Sequence, residues 1–270
     1  MTDRYAVIGN PVSHSQSPTI HRLFAQQTGQ DMDYQALLAP LDGFAATLAR
    51  FAASGGRGCN VTLPFKRQAF ELATKISARA RAAGAVNTLS FDGSETLADN
   101  TDGDGLVRDL CTNLGRTIAG QRLLLLGAGG AARGVLRPLL LEGPRTLTIA
   151  NRSSDKALVL AQEFSVAGCS LEELQGQEFD LVINATSAGL GEAPLKLPAG
   201  LFAAGSSAYE MVYGRETPFM SQARREGAVL VADGLGMLVE QAAESFLLWR
   251  GLRPDTAPVL AQLRSVAKSL

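Results

Sequence analysis

The run LLLLGAGGAARGVL sets Gly127, Gly129 and Ala132 in a G-x-G-x-x-A pattern between an apolar stretch and a helical one. This spacing suits a dinucleotide. The first glycine permits a tight turn, the second has no side chain to hold a pyrophosphate away, and the small third residue lets helix and strand pack closely. The helix N-terminus then faces the phosphates. One strand later, TLTIANRSSDK carries Asn151 and Arg152, with Lys156 four residues beyond the arginine. A carboxylate ordinarily stands at such a strand end to hold the adenosine ribose. A guanidinium there matches a 2′-phosphate instead, so the pair reads as selecting NADP, with Lys156 as a second cation. The plainer alternative is a solvated basic strand end.

Three polar groups lie in the first half of the chain. GNPVSHSQSPTIH places Ser15 and Ser17 in a turn before a helix. Ser17 before Pro18 makes a good N-cap and N1 pair, which accounts for Ser17 as well as a ligand would. In NVTLPFK a strand stops near a proline and Lys66 opens the next helix, where a cation opposes the helix dipole. In NTDGDG, Asp102 and Asp104 both stand at a helix start, and spacing alone does not choose between them.

The elements that must position these residues are legible as apolar runs. YAVIG, GCNVTL, LLLLGAGG, LTIAN, FDLVINAT and AVLVADG read as strands, mostly continuous rather than alternating, as when both faces of a parallel sheet are covered. Helical patterns such as SPTIHRLFAQQTG and AARGVLRPLLLEG fall between them. This alternation predicts an α/β fold. In AVNTLSFDGSETLADNT, two short strands flank Asp92-Gly93, a hairpin signal. A domain boundary is expected near Thr101 or Asp102. From about Leu238 the chain reads as amphipathic helix.

Bulk composition narrows the function classes. The 270 residues are 46% hydrophobic with a net charge of −1, so the chain is globular and offers nothing to a polyanion such as nucleic acid. No run is long and apolar enough to span a membrane, and the polar start does not read as a signal peptide. Three separated cysteines and two histidines argue for reduced thiols in the cytoplasm and against a metal site.

Taken together, GNPVSHSQSP, NVTLPFK, GAVNTL, DNTDGDG, GAGGAAR, ANRS, NATSAG, EMVY and DGLGMLVEQAA resemble the shikimate dehydrogenase family, in order and over nearly the whole chain. The resemblance implies NADP(H)-linked interconversion of 3-dehydroshikimate and shikimate, without a metal. It implies two α/β domains with a cleft between them. Residues 1–101 with 238–270 would form a substrate domain on a mainly parallel sheet, and 102–237 a Rossmann-type NADP domain. It implies Lys66 and Asp102 as the catalytic pair. Ser15, Ser17, Thr62, Asn87, Tyr213 and Gln241 would bind the substrate. Gly127, Ala128, Gly129, Gly130, Ala131, Asn151, Arg152, Ser153, Lys156, Thr186, Met211, Gly234 and Met237 would bind the cofactor. The protein would work as a monomer or homodimer.

The residue types suit that chemistry. An ammonium can give a proton to the oxygen of a ketone whose carbon receives hydride, or steady the alkoxide that develops. Neutral donors suit a polyhydroxylated ring. Three positions depart from the family pattern: Gln16 where lysine is common, Glu210 where aspartate precedes the methionine, and the added acid Asp104. Two other readings are a quinate/shikimate dehydrogenase using NAD and a non-catalytic NADP-binding regulator. The missing acid near Asn151 argues against the first, and retention of Lys66 with Asp102 against the second.

Overall fold

A computed structural model describes residues 2–186 and 195–267. Two compact units emerge, residues 1–105 with 238–270 and residues 106–237. In the first, β1 (Asp3–Gly9), β2 (Met32–Leu38), β3 (Gly56–Val61), β4 (Lys75–Ile76), β5 (Thr88–Asp92) and β6 (Glu95–Asp99) form one sheet in the order β2-β1-β3-β5-β6-β4. The strands run parallel except β5, which is antiparallel to β3 and β6. In the second, β7 (Arg122–Leu126), β8 (Thr146–Ala150), β9 (Ala167–Cys169), β10 (Phe179–Asn184), β11 (Phe202–Glu210) and β12 (Leu230–Asp233) form a parallel sheet in the order β12-β11-β10-β7-β8-β9. The α-helices are α1 (Ser17–Thr28), α2 (Phe44–Ala53), α3 (Lys66–Leu72), α4 (Ala78–Ala83), α5 (Asp102–Arg108), α6 (Gly130–Leu141), α7 (Ser154–Phe164), α8 (Pro218–Arg225), α9 (Leu235–Arg250) and α10 (Ala257–Ala267).

The continuous apolar runs follow from burial on both faces. In β7, Leu123 and Leu125 enter one core with Leu106, Val135 and Ile149, while Leu124 and Leu126 enter another with Phe179, Val182 and Phe219. A strand between two such cores has no polar face, so Leu123 to Leu126 are all apolar. In β1, Ala6 and Ile8 pack with Phe44 and Phe65, and Tyr5 and Val7 with Val12 and Tyr34.

Three local expectations are corrected. Beyond the expected runs and the hairpin, the sheets contain β2, the short β4 and β9, and β11. MDYQALL in β2 alternates in exposure at the sheet edge, and β11 carries Gly205, Ser206 and Ser207 in place of an apolar run. Ser17 is not the N-cap of α1. Gln16 holds that place in αR geometry, and the Ser17 N–H donates to Ser15 Oγ at 3.3 Å. The hairpin turn is Gly93-Ser94, one residue later than expected, because Asp92 still pairs with Glu95. Gly93 there has φ +58°.

His21 on α1 yields a pH prediction. Its ring is fully buried, stacked on Tyr34 with centroids 4.2 Å apart, and edged by Phe24 and Trp249. Neither ring nitrogen makes a hydrogen bond among the described residues. Burial pushes its pKa from 6.5 down to about 3, opposed by the Asn60 side chain. The unfolded chain therefore binds a proton that the fold refuses. Stability is complete above about pH 6.5 and falls toward pH 3, by up to about 1.4 kcal/mol per pH unit from this residue. Between pH 7 and 5, His21→Phe should lose less melting temperature than the parent protein. Equal losses would assign the acid sensitivity elsewhere.

Candidate active site

In the first unit, the exits of β1 and β3 are zipped together. The Thr62 N–H donates to the Ile8 carbonyl and the Asn10 N–H to the Leu63 carbonyl, each at 3.0 Å. A side chain at Gly9 would meet Thr62 Cγ2 at 2.3 Å, so glycine there is a packing requirement. The chain runs on from β1 to Ser15 and Ser17, and from β3 to Lys66. Active sites of parallel sheets gather at this carboxyl end. Because β5 is antiparallel, its start and the end of β6 lie at the same edge, which brings Asn87 and the 99–102 segment there.

Lys66 opens α3, and its Nζ lies 2.5 Å from Asp102 Oδ2. Their side chains are 28% and 13% exposed, so the pair is sheltered yet reachable. Asp102 opens α5, and its N–H donates to Asn100 Oδ1 at 3.1 Å. The second carboxylate oxygen accepts from Asn87 Nδ2 at 2.9 Å. Asn87 also donates to Gln241 Oε1 at 3.2 Å. Lys66, Asn87, Asp102 and Gln241 thus form one hydrogen-bonded group. Ser15 and Ser17 contact each other, and Thr62 sits at the Gly9 crossing.

The two aspartates at the start of α5 have different partners. Asp104 pairs with Arg79, which also grips both oxygens of Asp99 at 2.7 and 2.8 Å. Asp99 accepts from Ser77 as well, and these hydrogen bonds outweigh its burial and hold its carboxyl below the usual range. The added acid of this chain is therefore a strut between the end of β6 and α5. It leaves the Asp102 carboxylate to Lys66 and Asn87.

In the second unit, β7 turns at Gly127 (φ +108°), where an added carbon would press on the Ala185 backbone at 3.2 Å. Gly129 and Gly130 have open space where a side chain would stand, and Ala132 is fully buried. Ala128, Gly129 and Gly130 line a pocket of about 380 Å³ with Arg133, Asp155, Lys156, Val159, Leu160 and Glu163. These features fit a pyrophosphate at a helix N-terminus. Ala131 is exposed beside them in the first turn of α6. Arg133 escaped the motif reading although it falls in GAGGAAR. Its guanidinium pairs with Glu163 at 2.5 Å and lies over the Phe164 ring. After β8, Asn151 Nδ2 donates to the Ser153 carbonyl and shapes the turn, while Arg152, Ser153 and Lys156 are exposed.

The remaining second-unit candidates are tied to their own framework. Thr186 donates from N and Oγ1 to Asn184 Oδ1. Asn184 Nδ2 donates to the buried Glu210, which also accepts from Thr217 and from the Val212 N–H. Burial lifts the Glu210 carboxyl above the usual range despite these three bonds. Glu210 thereby fastens the Met211–Tyr213 segment to the end of β10. Tyr213 is half-buried, which raises its phenol. A carbon on Gly234 would meet the Met211 carbonyl at 2.2 Å, so close backbone approach accounts for this glycine. The Met237 N–H donates to Tyr209 Oη at 3.3 Å, and Tyr209 donates to Asp109 at 2.7 Å. Of the motif NATSAG, residues 187–189 lie outside the described residues.

Comparison with known proteins gives three family matches: a shikimate dehydrogenase substrate binding domain over residues 7–89, shikimate/quinate 5-dehydrogenase over 109–190, and a shikimate 5′-dehydrogenase C-terminal domain over 234–264. The chain is 61% identical over 270 residues to the shikimate dehydrogenase (NADP(+)) of Dechloromonas aromatica, with 98% of each chain covered. Identity to the corresponding protein of Aromatoleum aromaticum is 60%, with 97% of each covered. Among solved structures, the shikimate 5-dehydrogenase of Thermus thermophilus in complex with NADP(H) and shikimate superposes with a TM-score of 0.88 at 34% identity. That match covers 98% of this chain and 99% of the other.

Proposed function

Since the chain belongs to the shikimate dehydrogenase family, we propose that it catalyses the reversible NADPH-dependent reduction of 3-dehydroshikimate to shikimate. The observation that carries the reading is the ion pair of Lys66 with Asp102 at the carboxyl end of the first sheet. Bound NADPH supplies the hydride that reaches the ring carbonyl carbon. Lys66 stands ready to give a proton to the carbonyl oxygen or to steady its developing charge. Asp102 aims the ammonium, and Asn87 fixes the carboxylate. Ser15 and Ser17 take the substrate carboxylate, while Thr62, Tyr213 and Gln241 serve the rest of the ring. Gly127 to Ala131 receive the pyrophosphate. Arg152, aided by Asn151, Ser153 and Lys156, takes the 2′-phosphate. Thr186, Met211, Gly234 and Met237 serve the nicotinamide end.

No described helix is long and apolar enough to cross a membrane. We place the enzyme in the cytoplasm, acting on a small molecule as a monomer or homodimer.

One experiment tests substrate and cofactor together. kcat/KM is measured for shikimate and quinate, each with NADP+ and NAD+, in the parent protein and in Arg152→Ala. Shikimate with NADP+ should be strongly preferred. The substitution should weaken NADP+ about ten- to a hundredfold, the worth of a charged hydrogen bond, and leave NAD+ use nearly unchanged. Comparable use of quinate would turn the reading toward a quinate/shikimate enzyme. Equal weakening of both cofactors would remove Arg152 from the 2′-phosphate site.

A further inference from the structure

Behind Asn87 lies a group of buried polar side chains that the reaction does not call on directly. Ser245, on α9 one turn beyond Gln241, is fully buried. Its neighbours Ala242, Ala243 and Phe246 on the same helix are apolar and fully buried. A hydroxyl in such surroundings costs about 1–3 kcal/mol unless it is bonded. Ser245 Oγ is bonded on several sides. It accepts from Asn60 Nδ2 at 2.9 Å, lies 3.3 Å from Thr101 Oγ1 and 3.1 Å from the Gln241 carbonyl, and donates to Thr88 Oγ1 at 2.7 Å, because the Thr88 proton is committed to Asn87. Asn60, on β3, accepts from Tyr34 Oη at 2.7 Å and also donates toward the Asn87 carbonyl and Thr88 Oγ1.

These bonds have a direction. The Thr101 N–H, a donor fixed by the backbone, points to Asn87 Oδ1 at 2.9 Å, and Thr88 Oγ1 donates to the same oxygen at 2.9 Å. With its oxygen so occupied, Asn87 must turn its amide nitrogen to Asp102 Oδ1. A flipped amide would set donor against donor at Thr101 and acceptor against acceptor at Asp102. Thr88 is in turn held between Asn60 and Ser245. The far end of this group is sealed at Tyr34. The near end is the one carboxylate of the group, and it emerges beside Lys66.

We propose that Ser245 and Thr88 are positioning residues for the Lys66–Asp102 pair, acting through Asn87 and without touching substrate or cofactor. The proposal rests on the reading of that pair as catalytic. It gives α9 two functional residues on one face, Gln241 at the group's edge and Ser245 behind it.

The test compares Ser245→Ala in the parent protein and in an Asp102→Asn background. Thr88→Val, close to isosteric, serves as a second variant should Ser245→Ala fold poorly. In the parent background each should lower kcat about tenfold, the scale of a small misplacement of reacting groups. The dissociation constant for NADP+, read by fluorescence titration, should stay within about twofold, because the affected groups belong to the first unit. In the Asp102→Asn background the same substitutions should change kcat less than about twofold, because the group they position has been removed. Unchanged kcat in the parent background would overturn the proposal, as would an equal fall in both backgrounds. If Asp102→Asn itself leaves kcat intact, the catalytic reading of the pair fails and the proposal falls with it.

Discussion

Lys66→Ala should lower kcat by about 10²–10⁴-fold, the usual worth of a general acid. Two roles are open to the residue, and the kinetic parameters separate them. A lysine that held the substrate equally in ground and transition states would, when lost, raise KM and spare kcat. A lysine that gives a proton, or meets charge that develops only during hydride transfer, must lower kcat. Two features of Lys66 are in keeping with the second role. Lys66 lies at the N-terminal end of α3, where the helix dipole disfavours a cation, and this local cost is offset by the ion pair with Asp102. The side chain remains partly exposed, so the ammonium has protons to offer beyond the one engaged. Cofactor affinity should be unaffected. A variant with near-normal kcat and a raised KM would reduce Lys66 to a binding residue.

Gly236→Val should cost the fold about 3–5 kcal/mol, the scale of disrupting a buried charged group, and lower the melting temperature by roughly 10 °C. An added carbon at Gly236 would lie 1.9 Å from Asp109 Oδ1. That carboxylate is fully buried and cannot step aside without breaking its bonds to Tyr209 Oη and Asn113 Nδ2. Gly129 supplies the contrast. It has no atom within 4 Å of where a side chain would begin, and its backbone is extended at φ −91°. Gly129→Ala should leave stability within about 0.5 kcal/mol, as for open surface sites. It should nonetheless weaken NADP+, because the new methyl would stand in the proposed pyrophosphate site. Thermal melts with and without NADP+ check both. A stable Gly236→Val protein, or a Gly129→Ala protein that binds NADP+ normally, would contradict these assignments.

The parts of this molecule legible in its sequence are those written in local patterns. Continuous leucines announced β7 because each face of that strand meets its own core. The glycine spacing announced the turn after it. The edge strand β2 and the small, polar β11 carried no such signal, since pairing with neighbours rather than composition makes them strands. Ser17 read as a helix cap from Ser-Pro alone, but the Ser15 hydroxyl takes its N–H and the helix start moves by one residue. The choice between Asp102 and Asp104 needed Arg79, 25 residues from its partner, to declare itself. The support behind Asn87 was further out of reach, because Asn60 and Ser245 are 185 positions apart. A lone serine on a buried apolar helix face, four residues after Gln241, was the available clue.

The central claim is that Lys66 and Asp102 work as one unit, and a double-mutant cycle tests it most directly. kcat for shikimate oxidation with NADP+, followed at the nicotinamide absorbance, is measured for Lys66→Ala, Asp102→Asn and the double variant. If Asp102 acts by orienting the ammonium, each single substitution already removes most of the shared function. The barrier increase of the double variant should then fall well short of the sum of the two singles. Additive losses, or near-normal kcat in either single variant, would contradict the claim.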